Sequence, residues 1–400
     1  MTSDNGQDQT LIVVSQHYFP ESTATAQLVT DLVSELISRG RSVHVITASP
    51  NSDSEESGVS RSHQYQRHQT ILISKLLSGL HFVLFVLTQL SRFQGPNNTL
   101  LIVSNPPFLV LIGPLIKNIY NLNFIYLYQD LFPRSAILSG MLPSKGVLTN
   151  ILSTVLKHSY SRASRIILLS HDMKSRFIRE NGAHRSINVI PNWSVLNSDS
   201  RSMRPNPLLA EYGLSGKFVI QYSGNLGRLH DILTILEAAR ILQHNPFIHF
   251  VFIGSGPKKE QVLRYIQHNP HPNITIKDFV PRSQLAISLD ACDASLISLI
   301  PGAEECVAPS KLYGILASAK PVLLISRTHS FLSEELSSKQ ICLSSEPGDP
   351  IGLANNITKL FHSPELAAQM GRKAFQYYSK TLGKKSSIDQ YERLIFHESP

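Results

Sequence analysis

"KFVIQYSGNLGRLHDILTILEAARIL" (Lys217–Leu242) is the smallest segment from which the fold can be read. Lys217–Ser223 is an apolar and aromatic run of strand type. From Asp231 to Leu242 the apolar residues return at helical spacing instead. Between the two stand Gly224, Asn225, Gly227 and Arg228. A strand that turns through glycines straight into a helix is one step of a parallel sheet with crossover helices. The glycines leave room for a ligand to approach the backbone. The helix that follows is expected to offer free N–H groups, and Arg228 a fixed positive charge. Together they suit a diphosphate. A plain tight turn would use the same residues, so the segment needs support from the rest of the chain.

Working outward, the same alternation recurs on both sides. Upstream, Leu11–Val14, Ser42–Thr47, Thr99–Val103, Asn123–Tyr128, Arg165–Leu169 and Ile187–Ile190 read as strands. Ala26–Ser38, stopped by Gly40, and Ile71–Leu90 read as helices, and residues 50–70 as a polar loop. Residues 197–216 are polar and turn-rich and read as a linker. Downstream, His249–Ile253, Asn273–Lys277 and Ala294–Leu299 are strands and Gln284–Cys292 a helix. Glu365–His397 is helical with a break near "TLGKKS". The expected architecture is α/β, two doubly wound halves of similar size with a C-terminal helix left over. Ligands of such sheets sit at the carboxyl ends of the strands, and a cleft between two facing halves is the default site.

"APSKLYGILASAKPVLLI" (308–325) supplies a second anion-binding element. Pro309 fits a first helical turn, Ser310 and Lys311 open the helix, Lys320-Pro321 closes it, and Val322–Ile325 is a buried strand. Gly314 in mid-helix costs about 1 kcal/mol relative to alanine, which predicts a close approach of the backbone to a nucleotide or to the sheet. Just upstream, Glu304 and Glu305 in "PGAEECVAP" are costly beside phosphates unless they meet hydroxyls, as a sugar would offer. One of the two is expected to touch the sugar and the other to face solvent. In "YLYQDLFPRSA" (126–136), Gln129 and Asp130 fall at a strand's carboxyl end, although Asp130 could instead cap the next helix. Trp193, the only tryptophan, is read as packing.

Composition bounds the function. The 400 residues are 42% hydrophobic and 16% charged, which excludes a disordered chain, and the formal charge of +8 suits a polyanionic partner. Cys292, Cys306 and Cys342 show no metal or redox spacing, so a reducing cytoplasm is expected. No signal-peptide pattern opens the chain, and no apolar run approaches the roughly 18 residues of a spanning helix. There is no Asp-x-Asp triplet and no His/Cys cluster, so no metal is expected. Two basic segments favour an anionic membrane surface. One runs from Arg61 to Gly95 with Arg61, Arg67, Lys75 and Arg92 and no acid. The other, 151–190, holds Lys157, Arg162, Arg165, Lys174, Arg176, Arg179 and Arg185 against Asp172 and Glu180.

Eight stretches together carry a family resemblance: "SQHYFPESTATAQLVTDLVSELISRGRSVHVIT", "YQDLFP", "SRIILLSHDM", "VIPNW", "YSGNLGRLHDILTILEAA", "FIGSGP", "CDASLISL" and "APSKLYGILASAKPVL". In order and spacing the chain resembles the family-four retaining glycosyltransferases of GT-B fold, in the subgroup of bacterial exopolysaccharide and O-antigen enzymes similar to colanic-acid and N-acetylfucosamine transferases. The resemblance implies two Rossmann-like domains facing a cleft: an acceptor domain over 1–198, a donor domain over 199–378, and a helix over 379–400 packing back on the first.

The implied reaction moves a sugar from a nucleotide diphosphate sugar to a lipid-linked or polysaccharide acceptor, in the cytoplasm or on the cytoplasmic face of the inner membrane. No metal cofactor and no nucleic acid are implied. Gly224, Asn225, Gly227 and Arg228 match the family's diphosphate loop, and Lys311 stands in for a missing second cation, with Pro309 and Ser310 beside it. Glu304 and Glu305 are placed at the donor, and Gln129 and Asp130 at the reacting sugar. The family's paired glutamates would fall on Cys306 and Gly314, which depart from the pattern. That departure is the only support for a second reading, a non-catalytic nucleotide-sugar binder or scaffold. A third, a GT-B nucleotide-sugar epimerase, would need acids and histidines in the cleft that the sequence does not place there.

Overall fold

The 217–242 segment folds as a strand, a glycine turn and a helix, and the computed structural model repeats that unit through the chain. It describes residues 9–21, 23–50, 58–62, 72–104, 107–184, 186–196, 205–270 and 272–397. The chain divides into two units. The first comprises Met1–Pro133, Leu142–Pro191 and Ser387–Pro400, and the second Arg134–Met141 and Asn192–Ser386.

The first unit holds seven strands: β1 (Thr10–Ser15), β2 (Ser42–Thr47), β3 (Val59–Arg61), β4 (Thr99–Val103), β5 (Asn123–Leu127), β6 (Arg165–Leu168) and β7 (Ile187–Val189). All pair in parallel in the order β3-β2-β1-β4-β5-β6-β7. The sheet grows outward from β1 in one direction and from β4 in the other, so its topological switch point lies between those two strands. Every residue of β4 is buried, as a parallel sheet covered on both faces requires.

The helix Ala24–Ser38 starts where the Thr23 hydroxyl accepts from the Ala26 N–H at 3.3 Å, and it buries Ala26, Val29, Val33 and Leu36. Residues of the C-terminal segment close this unit. Arg39 bonds Asp389 at 2.7 Å and Glu392 at 2.8 Å, Arg41 bonds Glu392 at 2.7 Å, and Arg165 donates to the Leu394 carbonyl.

The second unit holds β8 (Phe218–Ser223), β9 (Ile248–Ile253), β10 (Ile274–Lys277), β11 (Ala294–Ser298), β12 (Val322–Ile325) and β13 (Cys342–Ser345), again parallel, in the order β10-β9-β8-β11-β12-β13. Its switch point lies between β8 and β11. The helix Ile232–Ile241 buries Ile232, Ile235, Leu236 and Ala239 against this sheet. Each such side chain contributes on the order of 1.5–3 kcal/mol when fully buried. Gly383 breaks the C-terminal helix between Tyr378–Leu382 and Lys384–Glu392.

Three local expectations change. Residues 50–70 are not only loop, because Val59–Arg61 pairs with β2 as an edge strand; 51–57 and 63–70 lie outside the described residues. Cys342–Ser345, half serine, forms a strand that its composition hides. Pro309 stands before the helix rather than in its first turn, because the helix runs Lys311–Ala317. Of the 197–216 linker, 197–204 lie outside the described residues, and the short helix Pro207–Glu211 occupies the rest.

Candidate active site

The second unit gathers its chemistry at the carboxyl ends of β8 and β11. The loop after β8 is tied to the loop after β11 by the Ile300 N–H, which donates to the Leu229 carbonyl at 2.9 Å. It is tied to the loop after β9 by the Leu226 N–H, which donates to the Ser255 carbonyl at 2.9 Å. Gly256 permits that second contact: at φ +145°, a Cβ there would lie 2.4 Å from the Asn225 Oδ1 and 2.7 Å from the Leu226 carbonyl oxygen. A Cβ on Gly227 would press on the Asn225 amide at 3.2 Å. Asn225 and Arg228 are exposed, and Arg228 has no side-chain bond or ion pair among the described residues.

Lys311 reaches this loop from the helix after β11. Its Nζ stands 3.4 Å from the Tyr222 ring centroid, is shut off from solvent, and has no hydrogen-bond partner. Gly224, at φ +127°, opens directly onto it, since a Cβ there would lie 3.5 Å from the Lys311 Cε and 3.8 Å from Nζ. Burial pushes the Lys311 ammonium well below its usual range. A cation left without a partner in such a place is costly unless an anion joins it.

The Tyr222 hydroxyl donates to the Asn225 carbonyl at 2.9 Å and also meets His230 Nδ1. Burial first, then the charges of Lys311 and Lys258, push the His230 ring down to about 3, so at neutral pH it is an uncharged hydrogen-bonding group. Lys258 donates to the His230 carbonyl at 2.5 Å. Sequence reasoning named neither Tyr222 nor Lys258 as part of this site, although both flank glycine turns after strands.

One expectation about the helix ends reverses. The helix after β8 does not present a free N-terminus, because Asp231 caps it. Its carboxylate accepts from the Thr234 N–H at 3.2 Å, the Thr234 hydroxyl at 2.6 Å and the Gly348 N–H at 3.1 Å. The negative charge already sits where an anion would bind. The helix after β11 has no side-chain cap, and Ser310 is exposed with its hydroxyl off the helix N–H groups. Of the two neighbours expected for Gly314, the sheet is not the one it meets; a Cβ there would lie 3.1 Å from Cδ1 of Leu289 in the helix Leu285–Asp290.

Glu304 and Glu305 share one partner that the sequence did not reveal. Arg327 binds Glu304 Oε1 through Nε and Glu305 Oε1 through a terminal nitrogen at 3.2 Å. The expectation that one of the pair faces solvent therefore fails, because both reach a guanidinium held just after β12. Glu304 is buried, and its Oε2 has no partner, which leaves one acceptor for a ligand hydroxyl. Cys306 is fully buried beside them.

In the first unit, Gln129 and Asp130 do follow β5. The Gln129 N–H donates to the Ser104 hydroxyl at 3.0 Å, and Asp130 is exposed. Asp130 caps nothing, because the next helix begins at Arg134. Trp193 is buried.

Residues 25–194 match the family described as Glycosyltransferase Family 4, and residues 209–377 the family described as Glycosyl transferases group 1. The chain is 26% identical over 290 residues to a "Probable glycosyltransferase WbjE" of Pseudomonas aeruginosa, covering 72% of each chain. It is 24% identical to a "Putative colanic acid biosynthesis glycosyl transferase WcaI" of Escherichia coli K12, covering 95% of this chain and 98% of that one. Among solved structures it resembles the sucrose-phosphate synthase of Thermosynechococcus elongatus, with a TM-score of 0.77 at 17% identity over 96% of this chain and 98% of that one. It also resembles the Anabaena HepE protein in complex with UDP-glucose, with a TM-score of 0.70 at 16% identity over 96% and 98%. At such identities the structural likeness carries the fold alone.

Proposed function

The chain is a glycosyltransferase of the family-four, group 1 type with GT-B fold, and from that premise we propose that it is a retaining enzyme of bacterial polysaccharide synthesis, using a nucleotide diphosphate sugar. The relatives named above support the glycan context, and HepE, solved with UDP-glucose, supports the donor class. The observation that carries the donor assignment is the Lys311 ammonium, buried and unpartnered beneath Gly224.

In this reading the diphosphate lies over Gly224–Arg228. Lys311 and Arg228 neutralise the charge that develops as the bond from the anomeric carbon to the diphosphate breaks. The acceptor oxygen attacks the same face of the anomeric carbon, and its proton passes to a departing phosphate oxygen. Glu304 Oε2 accepts from a hydroxyl of the donor sugar. Asp130 and Gln129 stand on the acceptor side. Lys311 and Arg228 supply the positive charge in this reading.

A thermal-shift panel of nucleotide sugars tests the donor, and the anomeric configuration of the product by NMR tests retention. Stabilisation by none of the panel, or an inverted product, would reject this reading.

The acceptor is taken as lipid-linked, which asks the first unit to work at a membrane. No helix among the described residues is long and apolar enough to cross one. Residues 57–171 contain Asp130 as their single acid against ten lysines and arginines, a bias that suits an anionic leaflet. Arg67 and Arg185 lie outside the described residues. On the Leu72–Leu90 helix, Leu80 and Leu84 are exposed while Phe82, Val86 and Leu90 are buried. Val147, Ile151 and Val155 make a longer exposed stripe on the helix Val147–Arg162. Sedimentation with anionic but not neutral liposomes, lost in high salt, is the expected result. Protein that stays in the supernatant with both would favour a soluble acceptor.

A further inference from the structure

The first unit carries a second built site, at the carboxyl ends of β1 and β2 and on residues the donor chemistry does not use. Two residues beyond β1, His17 Nδ1 lies 2.8 Å from Glu21 Oε2. The other oxygen of Glu21 accepts from the Ser49 hydroxyl at 2.8 Å, two residues beyond β2. Ser49 Oγ in turn accepts from the Tyr18 N–H at 2.7 Å, and the Ser15 hydroxyl donates to the His17 carbonyl at 2.8 Å. Arg61, at the end of β3, holds the loop from outside: its guanidinium donates to the Phe19 carbonyl at 2.7 Å and the Pro50 carbonyl at 3.0 Å, and covers the Tyr18 ring. The loops after β1 and β2 therefore fix the carboxylate that faces this imidazole, and Arg61 of β3 braces them.

The chemistry of this arrangement is specific. Glu21 is 6% exposed, so its carboxylate is an acceptor fixed in place. A neutral imidazole facing it carries its proton on Nδ1 and turns its lone pair out on Nε2. Nε2 has no partner among the described residues, and the His17 side chain retains 19% exposure, enough for a ligand to reach it. A carboxylate that fixes a histidine tautomer is a device for presenting one nitrogen to a substrate proton. A purely structural histidine would have both nitrogens satisfied, as His184 does here, with Nδ1 accepting from the Ser186 N–H and Nε2 meeting the Ala163 carbonyl, each at 3.2 Å.

We propose that His17, oriented by Glu21 and Ser49, is the acceptor-binding residue of the first unit, with Nε2 accepting a hydrogen bond from a hydroxyl of the acceptor sugar. The inference rests on the glycosyl-transfer reading above. His17 is a hydrogen-bond acceptor in this role and takes no proton; the proton of the attacking hydroxyl leaves with the donor phosphate. Glu21 and Ser49 are positioning residues.

The test compares wild type with H17Q, H17N and E21A. Transfer is measured from a nucleotide sugar to octyl glucoside, octyl galactoside, octyl N-acetylglucosaminide and water, the last as donor hydrolysis. UDP affinity is measured by calorimetry and folding by melting temperature. H17Q and H17N should lose tenfold or more of the rate with the acceptors that wild type uses, while UDP affinity stays within about twofold. E21A, which frees the tautomer, should lose most of the same rate at unchanged UDP affinity.

Wild-type rates in both His17 variants would overturn the inference while leaving the donor site standing. Loss of UDP affinity in step with rate would overturn it too, by showing a merely structural role. Wild type that neither transfers nor hydrolyses would reject the glycosyl-transfer reading itself.

Discussion

The two sheets have the same topology and carry opposite chemistry at their carboxyl ends. Between β8 and β11 the loops bring Lys311, Arg228 and Lys258 around a glycine turn, and the nearest acid, Asp231, is consumed as a helix cap. Beside β1 the loops bring an imidazole onto a buried carboxylate, with glycine absent from the contact. A parallel doubly wound sheet fixes where a ligand binds, and the loop residues decide what it is. Cations around an open backbone select a diphosphate. A polarised histidine selects a hydroxyl.

The comparison can be broken most forcefully on the cationic side. Lys311→Ala and Arg228→Ala should each cost about 2–4 kcal/mol in transition-state stabilisation, the scale of one lost preorganised donor, read as kcat/KM for the donor. Near-wild-type values in both would dissolve the contrast between the two ends. Glu304→Gln should lower turnover by roughly tenfold, the scale of one hydrogen bond to a charged group, because its Oε2 is the unfilled acceptor. Glu305→Gln, whose carboxylate meets the exposed edge of Arg327, should change turnover little. Equal effects in the two variants would mean that Arg327, and not the sugar, is what both carboxylates serve.

A smaller effect appears in stability against pH. His230 is held down to about 3 in the folded protein against an ordinary 6.5. The unfolded chain therefore binds the extra proton between those values, and stability contributed above pH 6.5 is lost as the pH falls towards 3. The melting temperature should drop across that window in wild type and drop less in His230→Gln. Identical slopes would show that the ring is not buried neutral. The smallest expected effect is that of chelator: turnover should survive EDTA, since Lys311 and Arg228 supply the charge. Loss with EDTA, restored by Mg²⁺ or Mn²⁺, would show that the cationic end is incomplete without a metal.

Much of the fold is legible because its strands are long apolar runs. Ser42–Thr47 and Thr99–Val103 coincide with the expected bounds; the second is buried throughout and the first over its last three residues. Val59–Arg61 and Cys342–Ser345 escape notice because short edge strands tolerate serine and arginine. The donor loop was visible as strand, glycines and helix, whereas the Asp231 cap was misjudged even though Asp231 and Thr234 stand at capping distance in the sequence. What no local pattern can show is long-range convergence. Tyr222, His230 and Lys311 meet because β8 and β11 are neighbours, and Glu304 meets Arg327 because β11 and β12 are. The His17–Glu21 pair, four residues apart just after a strand, was within reach of sequence reasoning, but only Ser49 from β2 shows that the carboxylate is held.

The central claim is that the Lys311 ammonium waits for a diphosphate. Calorimetric titration of UDP into wild type and Lys311→Met at neutral pH addresses it directly. The buried Lys311 ammonium has no hydrogen-bond partner, and an arriving diphosphate supplies one. The account predicts that wild type binds UDP and that Lys311→Met binds at least tenfold more weakly. Equal affinity in the two proteins would contradict it.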